Sequence, residues 1–183
     1  MKEVADADYI DRVLRGDRDA YRYLVGRYKD LAYTLAYGIL KQETEAEDAA
    51  QEGFIKAFQQ LKQFNRESKF STWLYTIVYR TALYKRKRQQ RYMALPPNYD
   101  QLPDTKPGQN EQLSQAERKH YLKRAIASLP EKEAAIVTLF YLDENSIATV
   151  SEITGLTVVN VKVKLHRARK KLHLILSPVI DQL

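Results

Sequence analysis

Apolar residues recur at the spacing of an α-helix along almost the whole chain, and alternating strand patterns are absent. The longest stripe runs through Tyr21, Leu24, Val25, Tyr28, Leu31, Leu35 and Ile39. Hydrophobic residues make up 44% and charged residues 29% of the 183 residues, which suits helices that bury one face and expose the other. The pattern predicts an all-α protein.

Local signals place the helix ends in the first half of the chain. Asp17 is suited to cap a long second helix. Thr44 followed by Glu47 predicts a capping box at the start of a third helix. A break at 65–68 precedes a fourth helix, which we expect at about residues 71–90.

The helical spacing is lost in the segment 92–113, which contains most of the prolines. Such a stretch buries too little apolar area to offset the entropy of ordering it. We therefore expect two helical domains, 1–91 and 114–183, joined by a proline-rich linker at 92–113.

Net charge of +7 and an isoelectric point near 9.4 favour a polyanionic partner. The balance alone does not separate nucleic acid from anionic lipid or an acidic protein. Basic residues dominate two stretches, 80–91 and 162–171, whereas acidic residues cluster at 43–52. The two basic stretches are thus the candidate contact sites.

Several classes of protein are disfavoured. No apolar run approaches the ~20 residues that cross a bilayer, and the acidic N-terminus does not resemble a signal peptide. The absence of cysteine excludes disulfides and thiolate metal sites. His166 and His173 share a helical face but lie ~10.5 Å apart, too far to bind one metal ion. We expect a cytoplasmic protein without metal or cofactor.

The segment 146–172 predicts a helix-turn-helix in the C-terminal domain. Gly155 suits the left-handed end of a short helix, and Thr157 is suited to cap a longer one. Val161 begins the apolar face of that second helix. Its opposite face carries Lys162, Val163, His166, Arg167 and Lys170. Such a helix fits the major groove of DNA, which is ~12 Å wide.

The fourth helix carries a stripe of rings and cations. Trp73, Arg80 and Tyr84 lie along one face, with Lys87 beside them. Rings that alternate with cations suit unpaired DNA, because stacking stabilises each base by ~1–3 kcal/mol. The alternative is that Trp73 only closes the helical bundle.

A polar face is predicted on the third helix, where Asp48, Glu52 and Lys56 recur every four residues beside Gln51. A catalytic or metal site is disfavoured because no histidine or further acid stands at ligand spacing. We expect a protein-docking face, and the alternative is a merely solvated face.

Taken in order, the chain contains AEDAAQEGFIKAFQQL, KFSTWLYTIVYRTAL, a basic run, a linker, LPEKEAAIVTLFYL and VNVKVKLHRARKKL. This series resembles the extracytoplasmic-function (ECF) sigma factors of bacteria over about residues 6–176. The resemblance implies a subunit that directs RNA polymerase to promoters and assists strand opening. It also implies that the polymerase, not this chain, performs the nucleotidyl transfer.

The resemblance further implies partners and contact residues. Asp48, Gln51, Glu52 and Lys56 match the face that binds the beta-prime clamp helices of the polymerase core. The beta flap and an anti-sigma factor are further expected partners, and no small-molecule substrate is expected. The unpaired −10 strand is assigned to Phe64, Lys69, Ser71, Trp73, Arg80, Tyr84 and Lys87. The duplex −35 element is assigned to Lys162, Val163, His166, Arg167 and Lys170.

Four positions depart from the usual pattern of the family. Arg80 and Tyr84 stand where many members have asparagine and aspartate, which predicts an altered −10 base preference. Ser151 and Thr154 replace the more usual alanine and leucine in the first helix of the turn motif, and both are small enough for its geometry.

Two other functions remain as alternatives. A helix-turn-helix repressor or activator would bind duplex DNA only, as a dimer, and would leave the Trp73 stripe without a role. A nuclease would need a cluster of acids or a metal site, which the sequence does not show.

Overall fold

The computed structural model describes residues 2–92 and 115–180, and none of these residues lies in a strand. The prediction of an all-α protein is confirmed. A short 3-10 turn at Leu61–Gln63 follows the third helix, and a π turn at Thr138–Leu142 follows the sixth. The helices are α1 (Lys2–Leu14), α2 (Arg18–Leu40), α3 (Glu43–Gln59), α4 (Phe70–Tyr92), α5 (Gln115–Ala127), α6 (Glu131–Val137), α7 (Ile147–Thr154) and α8 (Val158–Ile180).

Helices α1–α4 form the N-terminal bundle, in which α2, α3 and α4 pack against one another. Leu35, Leu74 and Val78 are fully buried in its core. Small residues line the buried side of α3, so that α4 lies close to it. A Cβ atom at Gly53 would lie only 2.7 Å from Cγ2 of Val78. Tyr21 links α2 to α3 by donating a hydrogen bond of 2.7 Å to the carbonyl oxygen of Phe54.

Asp6 fastens α1 to α2. Its carboxylate is buried and forms an ion pair of 2.6 Å with Arg27, and it also accepts a hydrogen bond from the hydroxyl of Tyr28. A buried carboxylate needs such partners because its desolvation is otherwise costly. Burial, together with this bond to Asp6, raises the pKa of Tyr28 above its usual value.

The two predicted caps in this half have different outcomes. Asp17 caps α2 by accepting hydrogen bonds from the backbone nitrogens of Asp19 and Ala20, at 3.1 and 3.2 Å. The capping box at Thr44 and Glu47 is wrong, because α3 already begins at Glu43 and no side chain caps it. Lys41 ends α2 in the left-handed conformation, so the chain re-enters a helix two residues later.

Helices α5–α8 form the C-terminal bundle, in which α6 packs along α8 and α7 packs against both α8 and the π turn. Ile136, Leu139, Ile153 and Val161 are buried in its core. Pro130 directly precedes α6, at its N-cap position. This position suits proline, because the first turn of a helix leaves its backbone nitrogens unpaired.

The two bundles are in contact. Gly38 of α2 lies against Ala134 of α6, and an added Cβ would lie 3.1 Å from the Cβ of Ala134. Lys41 donates a hydrogen bond of 2.6 Å to the carbonyl oxygen of Leu129. Next to this contact, Arg86 and Glu131 form an ion pair of 2.9 Å. The predicted linker lies outside the described residues, apart from Tyr92 at the end of α4.

Gly53→Ala tests the close packing of α3 on α4. The added methyl group would overlap Val78, with its backbone Cα at 3.3 Å, so the free energy of unfolding should fall by about 1–3 kcal/mol. Gly26→Ala is the matched control in α2, where nothing lies within 4 Å. It should raise the stability by about 0.5–1 kcal/mol. Urea unfolding of the full chain measures both, and equal effects would contradict the packing argument.

Lys41→Met tests the half-buried lysine between the bundles. Burial lowers the pKa of Lys41 to about 8, whereas an unfolded lysine titrates near ~10.4. Between these values the unfolded chain binds more protons, so stability rises with pH. The wild-type free energy of unfolding should therefore increase relative to Lys41→Met between pH 7 and 9.5, by on the order of 1 kcal/mol.

The pH range ends below the ionisation of the tyrosines, which would also change the free energy of unfolding. Burial raises the pKa values of Tyr21 and Tyr75, and this change lowers stability only as unfolded tyrosines ionise near pH ~10. Lys41→Met keeps the same backbone conformation, so any strain at φ 65° is common to both proteins. If the free energies of unfolding of the two proteins change with pH in parallel, the lowered pKa of Lys41 is refuted.

Candidate nucleic-acid and polymerase interfaces

The turn between α7 and α8 has the predicted helix-turn-helix geometry. Gly155 ends α7 in the left-handed conformation, with φ 68°, and its nitrogen bonds to the carbonyl oxygen of Ser151 at 2.9 Å. Thr157 accepts a hydrogen bond from the backbone nitrogen of Asn160 at 3.3 Å, which caps α8. Leu156 between them is partly buried against the core. The turn therefore fixes the direction in which α8 leaves α7.

Ser151 and Thr154, the two departures in this motif, both bond to the backbone. The hydroxyl of Ser151 donates to the carbonyl oxygen of Leu156 at 2.5 Å. The hydroxyl of Thr154 donates to the carbonyl oxygen of Val150 at 2.7 Å. Both side chains thus satisfy backbone carbonyls at the turn, and its geometry is retained.

Helix α8 buries one face and exposes the other. Val161, Leu165 and Ala168 are buried against the C-terminal bundle. All five residues that the sequence assigns to the −35 element are exposed on the other side, namely Lys162, Val163, His166, Arg167 and Lys170. We call this surface the α8 face.

Two other cations of α8 contact side chains of the C-terminal bundle. Lys171 pairs with the buried Glu133 at 2.8 Å, and Arg169 donates a hydrogen bond of 2.5 Å to the hydroxyl of Tyr141. The basic stretch of the sequence therefore divides into cations that hold α8 in place and cations that point outward. Helical position alone does not show this division.

Val159 was missed by the sequence analysis. It is 68% exposed on the first turn of α8, and Val163, one turn later, is 43% exposed. A signal was present in the sequence, since Val159 precedes Val163 by four residues and shares its helical face.

On α4, Trp73 lies in an aromatic cluster. Its ring centroid is 5.1 Å from that of Phe64 and 5.9 Å from that of Phe70, and Phe70 is buried. Trp73 itself is only partly buried. The alternative role for this residue is therefore partly correct, because the ring packs against the bundle while part of it remains accessible.

Arg80, Tyr84 and Lys87 follow Trp73 along α4 and are all exposed. Tyr84 has 66% of its surface accessible, which is unusual for so large a ring. Together with Trp73 they form a surface that we call the α4 stripe. It lies on the side of α4 opposite the buried Leu74, Val78 and Thr81.

The loop before α4 is fastened to α1 by one ion pair and contains a local side-chain hydrogen bond. Arg66 adopts the left-handed conformation and forms an ion pair with Asp11 of α1. Asn65 accepts a hydrogen bond from the backbone nitrogen of Glu67 at 3.2 Å. Lys69 is exposed, while Phe64 and Ser71 are half-buried. The loop therefore places the predicted −10 residues next to the α4 stripe.

On α3, the four predicted docking residues fall into two groups. Glu52 forms ion pairs with Lys56 at 2.7 Å and with Lys85 of α4 at 3.4 Å. The hydrogen bond from Lys56 lowers the pKa of Glu52, and its charge is thereby stabilised. Asp48 and Gln51 are exposed.

Two large apolar residues on α3 are exposed. Ile55 is 57% exposed beside Gln51, although no sequence signal marked it as a surface residue. Phe58 is 40% exposed, with its ring edge against Tyr21. Phe54, one turn earlier on α3, is buried, whereas Phe58 lies at the edge of the contact with α2.

The described residues contain neither a cluster of metal-binding side chains nor a membrane-spanning helix. Across residues 2–92 and 115–180, no three acidic or histidine side chains lie close enough to hold a metal ion. None of the described helices is both long enough and apolar enough to cross a membrane.

Two family models match the chain. Residues 24–92 match Sigma-70 region 2, and residues 119–172 match Sigma-70 region 4. The ECF RNA polymerase sigma factor SigW of Bacillus subtilis is 33% identical over 172 residues, which cover 89% of this chain and 92% of SigW. The ECF RNA polymerase sigma-E factor of Escherichia coli K12 is 30% identical and covers 98% of each chain.

Solved structures share the fold. A structure of CnrH in complex with the cytosolic domain of CnrY superposes with a TM-score of 0.65 at 20% identity, covering 95% of this chain and 98% of that one. The sigma factor RpoE in complex with the anti-sigma factor NepR from Bartonella quintana gives 0.67 at 21% identity, covering 86% and 96%.

Regions 2 and 4 together define a promoter-recognition protein of the sigma-70 class. The chain belongs to the ECF RNA polymerase sigma factors, a family of transcription initiation factors. It directs RNA polymerase to promoters, as the sequence predicted. A repressor that binds only duplex DNA does not account for the match to region 2.

Gly155→Ala tests the turn that positions α8. A side chain in the left-handed conformation costs about 1–2 kcal/mol, so stability should fall by that amount. Asparagine tolerates this conformation better, so Gly155→Asn should lose clearly less. Urea unfolding followed by circular dichroism compares the two. An equal loss would show that volume, and not backbone conformation, matters at this position.

Proposed function

We propose that this sigma factor divides promoter recognition between the α8 face and the α4 stripe. The α8 face binds the duplex −35 element, and the α4 stripe with the adjoining loop holds unpaired bases of the −10 element. One observation carries the proposal: a single chain exposes two separate cationic surfaces, and only the α4 stripe is lined with rings.

The α8 face suits duplex DNA. It is a helix of 23 residues that packs by one side and presents Lys162, Arg167 and Lys170 on the other. Within the described residues these three cations form no ion pair, so they are available to phosphates. Residues in the first turns of such a helix reach base edges, and later cations neutralise phosphates. Lys162, Val163, His166 and Arg167 thus read bases, while Lys170 binds the backbone.

The α4 stripe suits splayed-out bases. The aromatic cluster with Phe64 and Phe70 holds the Trp73 ring in place, so little entropy is lost when a base stacks on it. Tyr84 offers a second accessible ring, and Arg80 between them supplies a planar cation. Lys69, Ser71 and Lys87 lie at the two ends of this track and contact the strand there.

The exposed side of α3 binds the beta-prime clamp helices of the polymerase core. Asp48 and Gln51 are free to make polar contacts, and Ile55 adds an apolar centre that an interface would bury. Glu52 and Lys56 contribute at the edge, where their ion pair already fixes both side chains. The C-terminal domain contacts the beta flap.

Further assignments accompany this function. The protein acts in the cytoplasm as an initiation factor without an enzymatic activity or a cofactor of its own. Its domains are 1–91 and 114–183, with 92–113 as a linker between them. An anti-sigma factor is a regulatory partner, which the complex of RpoE with NepR suggests by its shared fold.

Variants on the two surfaces test the division. With core polymerase and this chain, Arg167→Ala should weaken duplex −35 binding about tenfold, the effect of losing one good base contact. Tyr84→Ala should leave duplex binding within about twofold and reduce strand opening, because stacking is lost. Filter binding to duplex and permanganate reactivity at the −10 element are the two measurements.

Controls keep the comparison specific. Lys132→Ala removes an exposed cation of α6 outside both surfaces and should change neither measurement. Trp73→Ala should also reduce opening, but its ring is partly packed, so the more exposed Tyr84 is the safer test. If Arg167→Ala and Tyr84→Ala reduce duplex binding equally, the division is wrong. If the chain does not co-elute with core polymerase, the role of α3 is refuted.

A further inference from the structure

The centre of the α8 face is apolar. Val159 and Val163 lie one turn apart on the side of α8 opposite the buried Val161 and Leu165. Neither residue packs against the core. Two accessible valines therefore stand where the helix points most directly away from the protein.

Much of the surface of this pair stays accessible in the folded chain. Valine loses side-chain freedom in a helix and is a poorer helix former than alanine. Because Val159 and Val163 are exposed, burial does not offset that cost. A contact made only in a complex would give the pair a favourable role.

The surroundings of the two valines indicate which partner they meet. Lys162 and His166 flank them on one side, and Asn160 and Arg167 flank them on the other. An apolar pair with cations around it matches a surface whose rim is anionic and whose middle offers small apolar groups. In the major groove, phosphates form the rim, and the C5-methyl of thymine is the apolar group on the base edges.

We propose that Val159 and Val163 select thymines in the −35 element by contacting their C5-methyl groups. This inference rests on the proposed binding of the α8 face to duplex DNA, and it adds which bases are read there without hydrogen bonds. The two valines are ~6 Å apart along the helix axis, and base pairs rise ~3.4 Å each. They therefore address two thymines within about two base pairs of each other.

The same contact rejects other bases. A valine side chain has no donor or acceptor, so a guanine or cytosine edge placed against it would lose its hydrogen bonds to water. Selection at these two positions is thus both for the methyl group and against a polar edge. The cations around the pair supply affinity that depends little on sequence.

The test replaces thymine by deoxyuridine, which pairs identically and lacks only the methyl group. A −35 duplex is first selected from a random pool with holoenzyme formed from the full chain and core polymerase. Each thymine in that duplex is then replaced singly. At two positions the wild-type affinity should fall about fourfold, the factor expected for one buried methyl group.

Variants assign each position to a residue. Val163→Ala should abolish the preference for thymine over deoxyuridine at one position, and Val159→Ala should abolish it at the other. Alanine is the better helix former, so neither change should unfold α8. Val158→Ala is the matched control, since Val158 is also exposed but lies toward the buried side of the helix. It should leave both preferences unchanged.

The outcomes separate this inference from the function on which it rests. If deoxyuridine binds as well as thymine everywhere while Arg167→Ala still weakens binding, the α8 face binds DNA and the role of the valines is wrong. A selected duplex without thymines opposite α8 would also refute the role of the valines. So would a Val158→Ala variant that changes the thymine preference as much as Val159→Ala or Val163→Ala does. If Arg167→Ala and Lys162→Ala both leave duplex binding unchanged, the proposed function of the α8 face fails first.

Discussion

The close approach of α3 to α4 is the constraint on which the N-terminal bundle depends. It requires a residue without a side chain at Gly53, where Val78 fills the space, and alanines along the same side of α3. Because the inner sides of both helices are committed to this contact, their outer sides are left to solvent. Asp48 on α3 and the α4 stripe therefore face outward as a consequence of packing, and rigid helices hold both surfaces.

Backbone geometry plays the corresponding role in the C-terminal bundle. The left-handed Gly155 ends α7, and the hydroxyls of Ser151 and Thr154 satisfy carbonyls around it, so α8 leaves the turn in one direction. Lys171 and Arg169 then hold α8 against α6 and the π turn. The cations that remain outside form a surface of fixed shape, which base recognition requires.

The contact between the two bundles is a third structural constraint on the chain. Gly38 lets α6 approach α2, and Lys41 is half-buried at the junction with a lowered pKa. The α8 face and the α4 stripe are both exposed while the bundles touch. The contact therefore involves neither candidate DNA surface.

The sequence by itself determined the helices, the cap at Asp17, the turn at Gly155 and the cationic side of α8. These features depend on residues a few positions apart, whose geometry the helical repeat fixes. Tertiary structure alone decided which residues at the rim of a stripe are covered. Phe54 of α3 is buried, whereas Phe58, one turn later on the same helix, is 40% exposed with its ring edge against Tyr21 of α2. Such outcomes depend on partners distant in the chain, and periodicity contains no information about them.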